Sequence, residues 1–224
     1  MITYHNDLIQ GSEAWHDARR GLLTASEMRL IVTPTLKTAN NEKTRAHLWE
    51  LLAQRISVYV EPTYIGDDML RGWTDEIKAR DAYAEHFAPV AEVGFVTNDK
   101  WGFKLGYSPD GLVGDDGLIE CKSRRQKYQV QTICEGVMPV DFALQVQTGL
   151  LVTERKWCDF ISYSGGLPMF VYRVMPDDVV QEAIISAASD FEFTIAEKQA
   201  AWDAAIKAMP VRIDTERTVE QEMI

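Results

Sequence analysis

The sequence has no run of about 18 apolar residues, so no segment reads as a membrane-spanning helix. Met1 to Asp7 lack the basic and apolar stretches of a secretory leader, and no such segment is expected. Cysteine is scarce: Cys121, Cys134 and Cys158 stand far apart and form no C-x-x-C pair. That spacing offers neither a zinc or iron–sulfur set nor an even disulfide framework, which points to a reducing cytoplasm. No Gly/Ser/Pro-rich linker, internal repeat or low-complexity tract divides the chain. No P-loop, G-x-G-x-x-G turn or G-x-S-x-G elbow is present, so nucleotide-binding and serine-hydrolase chemistry lack their usual anchors.

Positive charge is also in short supply. Against 34 Asp and Glu stand 23 Lys and Arg, a formal net charge of -11. Proteins that hold nucleic acid non-specifically are usually basic. A nucleic-acid partner therefore requires the bases to be gathered on one surface. Arg19 and Arg20, and Lys122, Arg124, Arg125 and Lys127, are the clusters that suit this.

What remains is ordinary globular composition, with 46% hydrophobic and 25% charged residues in 224. One compact domain over residues 1–210 is expected, followed by a polar tail at 211–224, flexible or at a subunit contact. Ser12 and Thr24 each offer a helix start, and residues 43–58 carry apolar positions at helical spacing. Residues 69–87 predict a helix whose apolar stripe is Trp73, Ile77, Ala79, Tyr83 and Phe87. The period then changes. Strands are expected over 90–96, 101–107, 112–114 and 118–122, with turns at 98–100 and at 115–117. A buried helix at 143–152, strands at 157–163 and 169–174, and a long helix from Asp178 towards Ala208 complete an α/β (α+β) order. Trp15, Trp49, Trp73 and Trp101 are expected in the core.

The chemistry concentrates between Ser108 and Lys122. Glu120 and Lys122 are two apart on one strand, so both side chains leave the same face. A hairpin turning at 115–117 places Asp110 across from them. Two carboxylates suit Mg²⁺, a hard cation that takes oxygen ligands and keeps several waters. The carbonyl of Cys121 can add an oxygen, and an ammonium such as Lys122 can orient a water or stabilise charge on a phosphoryl group. Without further context, Asp110-Gly111 is equally a plain turn, and Glu120 with Lys122 a solvated pair.

Five segments taken in order resolve this. Trp15 to Glu27, Gly72 to Glu76 with Ala79-Arg80, Ser108 to Leu112, Glu120-Cys121-Lys122 and Gln145-Val146-Gln147 together resemble the lambda exonuclease or YqaJ-like viral recombinase family. Its core is of the PD-(D/E)xK type, a central mixed sheet flanked by helices. The resemblance implies that Asp110, Glu120 and the Cys121 carbonyl ligate Mg²⁺, with two ions per site and Mn²⁺ as a substitute. It implies that Lys122, Glu76 and Gln147 serve catalysis, and that Arg19, Ser26, Thr24 and Ser108 bind the 5′-phosphate of a DNA end. It further implies a 5′→3′ exonuclease on double-stranded DNA that leaves 3′ single strands. The expected partners are a homotrimeric ring and a single-strand annealing protein, in the cytoplasm of a bacterial host.

Each role has a plain competitor. Arg19 reads otherwise as a surface charge, Ser26 as a helix cap, and Glu76 as a solvated acid. Gln145 and Gln147 lie about 200° apart on a helix, so only one of them can face the site. An endonuclease on the same core, or an inactive DNA-end-binding protein, are the alternative readings.

Overall fold

A computed structural model describes residues 1–62 and 66–217. In chain order the elements are β1 (Ile2–His5), α1 (Glu13–Arg19), β2 (Leu23–Thr24), a 3₁₀ turn (Ala25–Glu27), α2 (Met28–Ile31), α3 (Glu42–Ser57) and α4 (Asp67–His86). Then come β3 (Phe95–Asn98), β4 (Leu105–Tyr107), β5 (Gly111–Val113), β6 (Gly117–Ser123) and α5 (Gln126–Glu135). A second 3₁₀ turn (Val140–Phe142) leads into α6 (Ala143–Thr153), β7 (Trp157–Tyr163), β8 (Phe170–Val174) and α7 (Asp178–Ala208). Three helices open on side-chain caps, of which Asn41 was not read from the sequence. Ser12 accepts from the Trp15 amide, Asn41 from that of Thr44, and Asp177 from those of Val179 and Val180.

The strands form two mixed four-stranded sheets where one central sheet was expected. One has the order β1-β3-β4-β2 and the other β5-β6-β7-β8. The hairpin of β5 and β6 is as predicted, antiparallel with Gly111 opposite Ile119. What the sequence concealed is that β4 and β5 belong to different sheets. Ser108-Pro109-Asp110 carries the chain from one to the other, and proline, lacking an N–H, suits a residue that leaves a ladder. Strand β6 runs parallel to β7 from Gly117 opposite Trp157 to Ser123 opposite Tyr163.

Helices cover both faces of the second sheet. Leu118 and Phe160 face α6 and α7, in a cluster with Val146, Leu150, Ile184 and Phe191. Ile119, Cys121 and Ile161 face α4, against Ala79 and Tyr83. Helix α4 buries only part of the expected stripe. Ala79 and Tyr83 face the sheet as expected, joined by Asp75, while Trp73, Ile77 and Phe87 stand about half exposed. A polar stripe faces the sheet here because Asp75 and Tyr83 have polar partners waiting: Ser123 Oγ at 2.6 Å and Asp159 Oδ2 at 2.6 Å. Trp49 is likewise exposed rather than core. Helix α5 and strand β1 were not read from sequence, α5 because its polar residues show little periodicity and β1 because four residues give no pattern. Of the expected tail, residues 211–217 lie in neither helix nor strand, and 218–224 fall outside the described residues.

One close approach fixes α6 against the first sheet. A Cβ at Gly149 would lie 2.7 Å from the Tyr107 ring, so only glycine allows the helix this near. Gly149→Val is expected to cost about 1–3 kcal/mol in urea denaturation through overpacking. An unchanged midpoint would show that this contact is soft.

Candidate active site

Three elements converge on one buried carboxylate. Glu120, at the centre of β6, is 1% exposed. Its Oε2 accepts from the Tyr107 hydroxyl of β4 at 2.7 Å, and its Oε1 from Gln145 Nε2 of α6 at 2.5 Å. Lys122 Nζ lies 2.6 Å from the same Oε1. Asp110 sits at the sheet crossing, where its Oδ2 accepts from the Cys121 amide at 2.5 Å. The Cys121 side chain is turned away into the apolar cluster under α4. Because the N–H and C=O of one strand residue point to the same edge, its carbonyl shares the Asp110 side. Glu76 of α4 borders the same cleft as Asp110, near enough to act on its carboxyl.

Burial and crowding set the electrostatics. Burial pushes the Asp110 carboxyl well above the usual carboxylate range, and the neighbouring Glu76 pushes it further. Glu120 is raised as well, by burial first, with Lys122 opposing. Burial works against the Lys122 ammonium, yet Glu120 and Asp110 outweigh it and hold the charge on. Three acidic side chains thus face a single cation. Among the described residues no group of three or more His, Cys, Asp or Glu side chains is arranged as a complete metal cage. A hard divalent cation does not need one. Two carboxylates with a carbonyl and waters suffice, and the donors present are all oxygens. The excess negative charge is of the sign such an ion neutralises, so the residues fit the group.

A second constellation lies on the N-terminal side of the same crossing. Arg19, at the end of α1, donates from Nη1 to Ser108 Oγ at 3.0 Å and from Nη2 to Thr24 Oγ1 at 3.3 Å. Trp15 stacks on the guanidinium at 4.2 Å and donates from Nε1 to the same Ser108 oxygen at 3.0 Å. Ser26 Oγ lies 3.3 Å from Thr24 Oγ1. Burial disfavours the Arg19 charge, with Glu27 its main compensation. A guanidinium held by hydroxyls, without a bidentate carboxylate, has the donor chemistry that an oxyanion takes. The helix after Ser26 is only a 3₁₀ turn and one α-turn, so guanidinium and hydroxyls carry this pocket rather than a helix dipole.

A cleft of about 1220 Å³ is bordered by Trp15, Trp73, Glu76, Arg80, Pro109 and Asp110 among others, so it reaches the acidic cluster through Glu76 and Asp110 and the second constellation through Trp15 alone. Arg80 is its one Lys or Arg among the described residues.

The structure brings Asp110, Glu120, Lys122, Glu76 and the Cys121 backbone together, and separately Arg19, Thr24, Ser26 and Ser108. Gln147 stands apart. Its Nε2 donates to the Met175 carbonyl at 2.8 Å and its Oε1 accepts from the Asp177 amide at 2.9 Å, pinning the β8–α7 connection. The glutamine at Glu120 is Gln145. Choosing between two residues on opposite faces of a helix required knowing which face met β6. Tyr107 was read only as a strand residue and Trp15 only as core. Their polar atoms decide their roles here, and no spacing rule announces that.

Residues 14–156 match the profile of the YqaJ-like viral recombinase domain. The crystal structure of an alkaline exonuclease, LHK-Exo, from Laribacter hongkongensis is similar, with a TM-score of 0.78 and 32% identity over 88% of this chain and 98% of that one. LHK-Exo in complex with dAMP is equally similar, with a TM-score of 0.78 and 32% identity over 88% of this chain and 100% of that one. A phage-related exonuclease from Haemophilus somnus 129PT has a TM-score of 0.54 at 10% identity, covering 79% and 96% of the two chains, a likeness of fold. No curated protein matches.

The raised carboxyls have a sign that can be measured. With Asp110 and Glu120 raised, the folded chain keeps protons that the unfolded chain releases. Stability without metal is therefore undiminished below the ordinary carboxylate range and falls as pH rises through the raised values. Urea denaturation in chelator at about pH 5 and about pH 8 is expected to show that fall, reduced in Asp110→Asn. Equal pH dependence in wild type and variant would remove Asp110 as its source.

Proposed function

Since the chain belongs to the YqaJ-like viral recombinase family, we propose that it is a metal-dependent DNA exonuclease. It degrades duplex ends 5′→3′ and leaves 3′ single strands. The observation that carries this reading is the juxtaposition across Ser108-Pro109-Asp110: Asp110 lies with Glu120 and Lys122 on one side, and Ser108 holds the Arg19 guanidinium on the other.

In this reading Asp110, Glu120 and the Cys121 carbonyl hold Mg²⁺ or Mn²⁺, and Glu76 helps to hold a second ion. When bound, the metal lowers the pKa of a coordinated water and neutralises charge on the phosphoryl oxygens. Lys122 orients the attacking water and stabilises developing charge, its own position fixed by Glu120 at 2.6 Å. Gln145 takes the polar role that the resemblance assigned to Gln147. It and Tyr107 lock the Glu120 carboxylate in one orientation. Arg19, Thr24, Ser26 and Ser108 receive the terminal 5′-phosphate, and so place the first phosphodiester over the acidic cluster. The same reading has three copies forming a ring, with a single-strand annealing protein receiving the 3′ strand in the cytoplasm of a bacterial host.

Duplexes labelled at the 5′ or 3′ end, with or without a 5′-phosphate, test this directly. Release of label from 5′-phosphoryl ends first is expected. Cutting of a covalently closed circle would instead identify an endonuclease. Asp110→Ala should lose more than the 10–100-fold typical of residues that merely support a metal ligand. DNA binding without digestion by the wild type in Mg²⁺ and Mn²⁺ would leave only an end-binding protein. Arg19→Ala should raise KM about tenfold for phosphoryl ends alone, the scale of one charged hydrogen-bonded contact.

A further inference from the structure

Behind the Thr24 and Ser26 hydroxyls lies a buried histidine that the proposed reaction leaves without a task. His47 of α3 is 3% exposed. Its Nδ1 is 3.1 Å from Glu50 Oε2 on the same helix, and its ring packs 5.8 Å from that of Phe191 on α7. Its Nε2 is fully buried and has no hydrogen-bond partner among the described residues. What it faces is Glu27 Oε2, 3.8 Å away. That oxygen already accepts from the Thr24 amide at 3.1 Å and the Thr24 hydroxyl at 2.7 Å.

Leaving a buried ring nitrogen without a partner is unfavourable, so a second arrangement that satisfies it lies close in energy. Thr24 Oγ1 has one proton and gives it to Glu27, while it accepts from Arg19 Nη2. An anion seated against Arg19 and Ser26 competes for that proton. Once it is drawn away, Glu27 Oε2 keeps only the amide. A movement of about 1 Å then brings it within hydrogen-bond distance of His47. Glu27 is also the carboxylate that acts on Arg19, and its charge opposes an incoming anion. The ring nitrogens of His47 face carboxylates on either side, Glu50 from α3 and Glu27 from the 3₁₀ turn.

We propose that His47 is a positioning residue for the pocket at Arg19. It takes over Glu27 as a hydrogen-bond donor when a terminal phosphate claims the Thr24 proton, drawing the carboxylate away from the anion. This rests on the reading of Arg19, Thr24, Ser26 and Ser108 as the 5′-phosphate pocket.

Steady-state digestion of duplexes with 5′-phosphoryl or 5′-hydroxyl ends compares wild type, His47→Gln, Glu27→Gln and the double variant. Glutamine at 27 keeps the capping acceptor without the charge. In His47→Gln, KM for phosphoryl ends is expected to rise about five- to tenfold, with kcat and hydroxyl ends unchanged. Adding Glu27→Gln should restore most of that loss. Equal changes for both end types, or no recovery in the double variant, would overturn the role. Should His47→Gln fold poorly, Glu27→Gln decides alone: a lower KM for phosphoryl ends supports the proposal and an unchanged one defeats it. Arg19→Ala separates the two layers. If it leaves the preference for phosphoryl ends intact, the pocket itself is wrong. If it abolishes that preference while the His47 and Glu27 variants behave as wild type, only the positioning role fails.

Discussion

A carboxylate buried to 1% exposure at the centre of a strand is the constraint around which the rest is built. Glu120 is tolerable there because every lone pair it turns inward has a donor, from Tyr107, Gln145 and Lys122. An unpaired buried carboxylate would be expensive enough to neutralise itself. These donors come from β4, α6 and β6, so one side chain draws together the first sheet, the second sheet and the helix between them. Gly149 belongs to the same arrangement, since it lets α6 close on Tyr107. Packing and chemistry are one requirement at this point.

The rotation of α4 is set by polar contacts of the same kind. Burying Trp73, Ile77 and Phe87 together with Ala79 and Tyr83 would be favoured if apolar area alone decided. Instead Asp75 joins Ala79 and Tyr83 against the sheet, where Asp75 meets the half-buried Ser123 and Tyr83 the buried Asp159. Asp159 is itself held by Arg173 through two hydrogen bonds of 2.8 Å. These polar pins set the rotation that aims Glu76 at Asp110. The exposed apolar stripe then becomes part of the cleft wall.

Much of this was legible from residues alone. The hairpin between Asp110 and Lys122 followed from Asp115-Asp116-Gly117 and from period-two alternation, both local signals. The caps at Ser12 and Asp177 were local too. The Arg19 pocket was legible only as a resemblance, because it joins residues 19, 24, 26 and 108 across three elements and a loop. The division into two sheets was not legible, since a strand that pairs on either side of a bend has the same sequence pattern. The rotation of α4 and the choice of Gln145 over Gln147 were hidden for a shared reason. Both depend on which polar groups wait on the opposite element, and a helical periodicity records apolar faces only.

Ser108 and Asp110 are separated by a single proline whose φ is fixed by its ring. The hydroxyl that holds Arg19 and the carboxylate that meets Cys121 are therefore spaced by covalent geometry, not by the docking of one element on another. Thermal motion of the helices can widen or narrow the cleft without altering that interval. In the proposed reaction it acts as a ruler one residue long. The stretch of strand between its gripped end and the scissile bond is then measured off against the backbone itself, the least deformable part of the chain.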